Sequence, residues 1–340
     1  MFNFKKCVFV VLVLCTANSY AQKSVINIVD SGRKTSIRGL SVVDDNIVWI
    51  SGSNGTVARS VNGGKSFEWQ TLAGYEKRDF RDIEAFDENT AVIMAVAEPA
   101  VILKTRDGGK SWNKVFEDST KGMFLDAMDF NSKGEGVVIG DPVNGSMFEA
   151  MSVQNGETWY PQLISGMSRN LNKGEAFFAA SGSNIKFTGN KDYPLSFVTG
   201  GISSRFFYRN KFYALPLLQG KESTGANALA LSGNGKMAVI VGGDFAVDTF
   251  STLNCVVVQL KKQPFILVAA TPPHGYRSCV EYISNKDLIC CGTSGVDISK
   301  DGGMNWALVS RLSFHVCKKA KNGSKVFLAG SNGKIAVLDL

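Results

Sequence analysis

Histidine is almost missing from this 340-residue chain. His274 and His315 are the only two, so a multi-histidine metal centre cannot be assembled. Of the seven cysteines none stands in a CxxC pair, which leaves a zinc site or a thioredoxin-like redox motif without support. Basic residues form no long run or stripe, so the electrostatic footprint of a nucleic-acid binder is lacking. Beyond the N-terminus there is no long apolar stretch, and hence no candidate membrane span. Neither a strand–GxGxxG–helix unit nor a phosphate-cradling loop occurs, so a nucleotide cofactor has no motif to rest on. The expectation is no cofactor and no metal. Glycine, by contrast, is abundant: 35 residues, against a usual share of roughly 7%. It points to many tight turns.

The one apolar run lies in residues 1–21, MFNFKKCVFVVLVLCTANSYA. Lys5 and Lys6 precede the run Cys7 to Cys15, and Ser19-Tyr20-Ala21 places small residues where a signal peptidase reads. This predicts a cleaved signal peptide over 1–21, followed by one domain over 22–340. The protein would then be exported, either periplasmic or secreted. A membrane anchor is the competing reading, but the run is far short of roughly 20 residues. Cys15 as a lipid-attachment site is another, although bulky Leu14 precedes it. Loss of the leader removes two lysines and leaves a mild charge of +5, from 35 basic and 30 acidic residues. Cys255, Cys279, Cys290, Cys291 and Cys317 remain, an odd number read as small apolar core residues.

Internal repetition supplies the architecture. Ser60-Val-Asn-Gly-Gly-Lys-Ser-Phe67, Thr105-Arg-Asp-Gly-Gly-Lys-Ser-Trp112, Ser152-Val-Gln-Asn-Gly-Glu-Thr-Trp159 and Ser299-Lys-Asp-Gly-Gly-Met-Asn-Trp306 share one pattern. Their starts lie 45, 47 and then 147 residues apart, the last being three steps of 49. The third-position Asp or Asn can bond the backbone that follows it, Gly supplies positive φ, and the closing aromatic packs between sheets. Asn62, Asp107 and Asp301, with Trp112, Trp159 and Trp306, are therefore structural residues. A short apolar strand ending in a Gly-rich bend recurs seven times, at Ile47–Gly52, Ala91–Ala97, Val137–Gly140, Ser196–Gly201, Val239–Gly243, Leu288–Gly292 and Val326–Gly330. Residues 36–340 thus divide into units of about 44, the length of a four-stranded propeller blade. The last unit has room for three strands only, and the strand-like Ser24–Asp30 has no unit of its own. This predicts an all-β, seven-bladed β-propeller of four-stranded blades, closed by the N-terminal strand, which hides a sheet edge.

The S/T-x-D-x-G-x-S/T-W segments resemble Asp-box (BNR) repeats, and the strand, bend and Asp-box together resemble the photosystem II assembly and stability factor-like propellers. That resemblance covers essentially all of 24–340. It implies an exported, non-enzymatic propeller that binds a protein partner in the cell envelope, as scaffold or assembly factor. It also implies that the Asp-boxes lie on the face away from the binding site. Some members carry an "oxidoreductase" label, which no motif here supports. The arginine triad and Tyr/Glu pair of sialidases are not framed around Arg38, and the two propellers of xyloglucanases do not fit one chain of this length.

On a propeller, the loops between blades and those between second and third strands share one face. The register puts Glu98, Asp141, Asp244 and Thr293 on the strand bends. At the starts of first strands it puts Arg38, Arg81, Asp82, Glu175, Tyr276, Arg277, Ser278 and His315, with Arg205 just beyond a bend. Two readings follow. These groups satisfy one another or line a binding surface for a protein; alternatively they form the centre of a hydrolase or lyase acting on an acidic saccharide. In that case Glu98, Asp141 and Asp244 are the acid/base candidates, and Arg205 and Arg277 clamp the substrate. The aromatic stretch Arg205–Tyr213 reads as a strand with one buried face, and the chain as a monomer.

Overall fold

The computed structural model describes residues 25–143, 145–162 and 170–339, so the leader expected over 1–21, Cys15 included, lies outside the described residues. Among the described residues there is only β-structure, in seven antiparallel sheets that follow one another along the chain. Blade 1 runs Ile37–Val42, Val48–Gly52, Thr56–Ser60, Glu68–Thr71, each strand paired with the next. Blades 2, 3 and 6 repeat this up-and-down order from Phe80, Leu125 and Cys279. Blade 4 is Ile185–Phe187, Leu195–Val198, Arg205–Tyr208, Lys211–Ala214, and blade 5 begins at Thr224. In blade 7, Val316–Lys319, Val326–Ala329 and Ile335–Asp339 are joined by Val25–Asp30, which lies antiparallel to the last strand with Val25 opposite Asp339. The ring therefore closes as the missing fourth strand required.

Each hydrophobic cluster sits between neighbouring blades. Trp49, Val57, Phe80, Ile83 and Leu103 join blades 1 and 2, Val198, Phe206, Leu229 and Ile240 join 4 and 5, and Ile37, Phe314, Val316, Phe327 and Ile335 join 7 and 1. Because successive strand side chains alternate faces, every middle strand packs on both neighbours and reads as a continuous apolar run. All five described cysteines are buried in this layer and unpaired, as small apolar residues would be.

The Asp-box turns are built alike. Ser60, Thr105 and Ser299 each accept, through the side-chain oxygen, the N–H of the glycine four residues on, at 2.9 Å. Asn62, Asp107 and Asp301 each accept the N–H of residue i+4 at 2.9–3.0 Å. Gly303, at φ 94°, lies where a Cβ would come within 2.8 Å of Val239 on the preceding blade. Trp112 meets Trp49 edge-on at 6.2 Å, Trp159 meets Phe130 at 5.8 Å, and Trp306 donates to the Gly303 carbonyl at 2.9 Å. In blades 2 and 6 the turn thus packs against the preceding blade.

Two local expectations are corrected. Arg205–Tyr213 is a hairpin, not one strand: Arg209 and Asn210 take φ of 50° and 58° between Arg205–Tyr208 and Lys211–Ala214, and Phe206 and Phe207 are both buried. Glu175 does not begin the first strand of blade 4. It belongs to the two-residue strand Glu175–Ala176, paired with Gly200–Gly201, which extends the sheet of blade 5 at its inner edge. Alternating aromatics conceal a two-residue turn because such a turn preserves the period of two.

Candidate functional site: the two mouths of the channel

The face that gathers the sequence-predicted residues is closed by the chain itself. Between Glu175–Ala176 and Ile185–Phe187, the segment Phe177-Phe-Ala-Ala-Ser-Gly-Ser-Asn184 crosses the channel as a strap whose residues, Phe178 apart, are buried. Its small side chains fit between the inner strands, and bonds from five blades hold it. Arg38 donates to the Ala180 carbonyl at 3.2 Å and Arg81 to that of Ala179 at 3.4 Å. Asp141 accepts the Phe177 N–H at 2.9 Å, the Ser181 hydroxyl donates to the Ser278 carbonyl at 2.7 Å, and the Leu229 N–H donates to the Ser183 carbonyl at 2.8 Å. Gly182 passes the Asp82 carboxylate, where a Cβ would come within 2.3 Å. Isolated residue positions carry no signal of this, because a strap of Ala, Ser and Gly reads as an ordinary loop.

Most other candidates are likewise engaged. Arg205 grips Glu175 with its Nε at 2.8 and 3.0 Å from the two carboxylate oxygens, and stacks 3.8 Å over the Phe212 ring. Arg277 and Asp297, both fully buried, form an ion pair within blade 6, and His274 Nδ1 lies 2.6 Å from the same carboxylate. The Tyr276 hydroxyl donates to Asn227 Oδ1 at 2.8 Å, and that of Ser278 to the His315 carbonyl at 2.6 Å. His315 is buried with Nδ1 3.0 Å from the Ile37 carbonyl and Nε2 3.2 Å from the Ser331 hydroxyl. Burial, together with the Arg38, Arg81 and Lys334 charges, pushes it down to about 4.

The three acid/base candidates serve different loops. Exposed Glu98 accepts the Gly122 N–H at 3.0 Å, Asp141 holds the strap, and buried Asp244 accepts the Ala246 N–H of its own loop at 2.9 Å. Two other buried carboxylates stand at this mouth, Asp126 and the sequence-predicted Asp82. Burial raises Asp82 to about 7, although Met128 and Ile83 donate backbone N–H groups to it. Burial and the neighbouring Asp141 raise fully buried Asp126 well above the usual carboxylate range. Asp126 stands in an apolar-looking strand and was not among the sequence-predicted residues; the register shift at Leu125/Ala127 turns it inward.

Among the described residues, an apolar loop and a wide cavity stand open to ligands on opposite faces. On the strap face, the ten residues between Asp244 and Cys255 present Phe245, Val247, Phe250 and Leu253, each 40–51% exposed. On the opposite face, where the Asp-boxes lie, the channel widens into a cavity of about 990 Å³ lined by all seven blades. Among the described residues no group of His, Cys, Asp and Glu could hold a metal ion.

Residues 18–121, the closing strand and the first two blades, match the family model of the photosynthesis system II assembly factor YCF48. The chain is similar to the YCF48-like propellers. Solved structures extend the likeness to the whole ring. YCF48 bound to a D1 peptide superposes with a TM-score of 0.64 at 13% identity, covering 94% of this chain and 96% of that one. YCF48 from Cyanidioschyzon merolae gives 0.64 at 14%, over 92% and 98%. The WD40 propeller domain of Doa1 gives 0.61 at 11%, over 93% and 97%. At such identities the superpositions speak for fold alone, and Doa1 shows how widely this ring is shared. No curated protein matches the chain.

Proposed function

We propose that this chain is an exported, non-enzymatic propeller that binds a protein partner in the cell envelope and acts as an assembly or stability factor. One observation carries the reading: the apolar loop between Asp244 and Cys255. Four large apolar side chains project from it. Exposed apolar clusters on soluble proteins mark interaction sites. The loop is also held in shape. Val247 and Phe250 donate to the Asp244 and Val247 carbonyls at 3.2 and 2.9 Å, and Tyr276 and Leu218 bond the Asp248 and Leu253 carbonyls at 2.8 Å. Phe245 packs edge-on against Phe178 of the strap at 5.8 Å. A preformed loop loses little conformational freedom on binding. The YCF48 structure solved with a D1 peptide bound supports a protein segment as ligand. The hydrolase alternative gains nothing from the geometry, since Glu98, Asp141 and Asp244 each serve a separate loop.

Affinity capture of the tagged mature chain from its own cell envelope tests this. The expected result is a stoichiometric protein partner retained by the wild type and lost from the Phe245→Ser/Phe250→Ser variant, with the unfolding midpoint unchanged. Retention by the variant, or no partner at all, would refute it. Intact mass should show the mature chain beginning at Gln22; a start at Met1 would remove the exported part of the proposal.

A further inference from the structure

The cavity on the Asp-box face is separate from the loop just described, and its lining has a distinct chemistry. Four lysines, Lys186, Lys318, Lys319 and Lys321, face three carboxylates, Glu84, Asp129 and Glu281. Three of the lysines are matched: Lys186 with Asp129 at 2.7 Å, Lys321 with Glu84, and Lys318 with Glu281 in its electrostatic reach. Lys319, half-buried on the inner strand of blade 7, has no carboxylate partner among the described residues. The cavity thus holds one positive charge in excess.

Its uncharged lining is equally specific. The exposed Ser132 hydroxyl and Asn322 carboxamide and the half-buried Asn155 carboxamide make no hydrogen bond among the described residues, while Phe187 and Tyr282 add half-buried rings. Unspent hydroxyl and amide groups recognise a ligand rich in hydroxyls. Aromatic rings suit the apolar face of a pyranose, and the surplus ammonium suits a carboxylate on one of its residues. The volume lies at the upper end of small-molecule sites, which accommodates an oligosaccharide of a few residues.

We infer that the Asp-box mouth of the channel is a binding site for a short acidic saccharide of the uronic-acid class, with Lys319 pairing its carboxylate. The site is one of recognition and includes no bond-breaking step. It is independent of partner binding on the strap face.

Calorimetric titration of the full mature chain with digalacturonate, neutral galactobiose and inorganic phosphate tests the assignment. Digalacturonate should bind at least about tenfold more tightly than galactobiose, and Lys319→Gln should weaken it by about tenfold, as loss of one charge-assisted bond does. Gly233→Asp offers an independent check. Gly233 lines the cavity with ordinary φ and open space around its Cβ position, so the substitution adds a carboxylate without strain. It should weaken digalacturonate at least as much, with an unchanged unfolding midpoint. Absence of digalacturonate binding at millimolar concentration would overturn the inference. Phosphate binding as tight as digalacturonate, or affinity indifferent to both substitutions, would overturn it too.

Discussion

At the scale of single residues, the buried titratable groups around the channel make opposite demands on pH. Asp82 has its folded value raised from an ordinary 3.8 to about 7 by burial. Its contribution to stability is therefore complete below pH 4 and lost as pH rises through 7. His315 is depressed from 6.5 to about 4, so its contribution is complete above pH 6.5 and lost as pH falls toward 4. In the wild type the two slopes oppose one another. Asp82→Asn should leave the histidine slope alone, giving a urea midpoint that falls more steeply from pH 7 to 4 than the wild type's. His315→Asn should do the reverse, and parallel profiles for all three proteins would contradict both assignments. A residue-scale prediction of another kind concerns Gly303. Its positive φ and the 2.8 Å approach to Val239 make Gly303→Ala costly, on the order of 1–3 kcal/mol, read as a lower thermal midpoint.

At the scale of elements, the N-terminal strand closes the ring at little apparent cost in burial. Val25, Ile28 and Val29 remain largely exposed, and the strand is held by its ladder to Ile335–Asp339 and by the Trp69 indole, which donates to Asp30 at 2.8 Å. Deleting residues 25–30 would open the edge of blade 7, and open edges invite pairing between molecules. The truncated chain should lose on the order of 5–10 °C in Tm and show concentration-dependent association by light scattering. An unchanged, monodisperse protein would show that the ladder contributes little. Four-strand blades, the gap in blade 7 and its filling were legible from repeat spacing, because each blade must pair its own backbone and so recurs at near-constant length. The strap was not legible, since its positions are specified by Arg38, Arg81, Asp141 and Leu229, which come from four other blades.

At the scale of the whole molecule, the seven blades are bound side by side through separate apolar layers, and the cysteines belong to those layers. With Cys255, Cys279, Cys290, Cys291 and Cys317 all buried and unpaired, an aromatic disulfide reagent should find none of these five thiols reactive in the native protein and all five after denaturation. Fast reaction of any native thiol would place that residue outside the core. The ring was legible in local patterns that each blade must satisfy on its own: the Asp-box spacing, the apolar strands and the unpaired first strand. Which mouth of the channel stands open depends on contacts between distant blades. Arg38, Arg81 and Asp141 are found bonded to a strap from blade 4's entry, and the cavity is found on the Asp-box face. The reason is physical: the sequence sets each strand's register, whereas what fills a central channel depends on groups brought together from every blade at once.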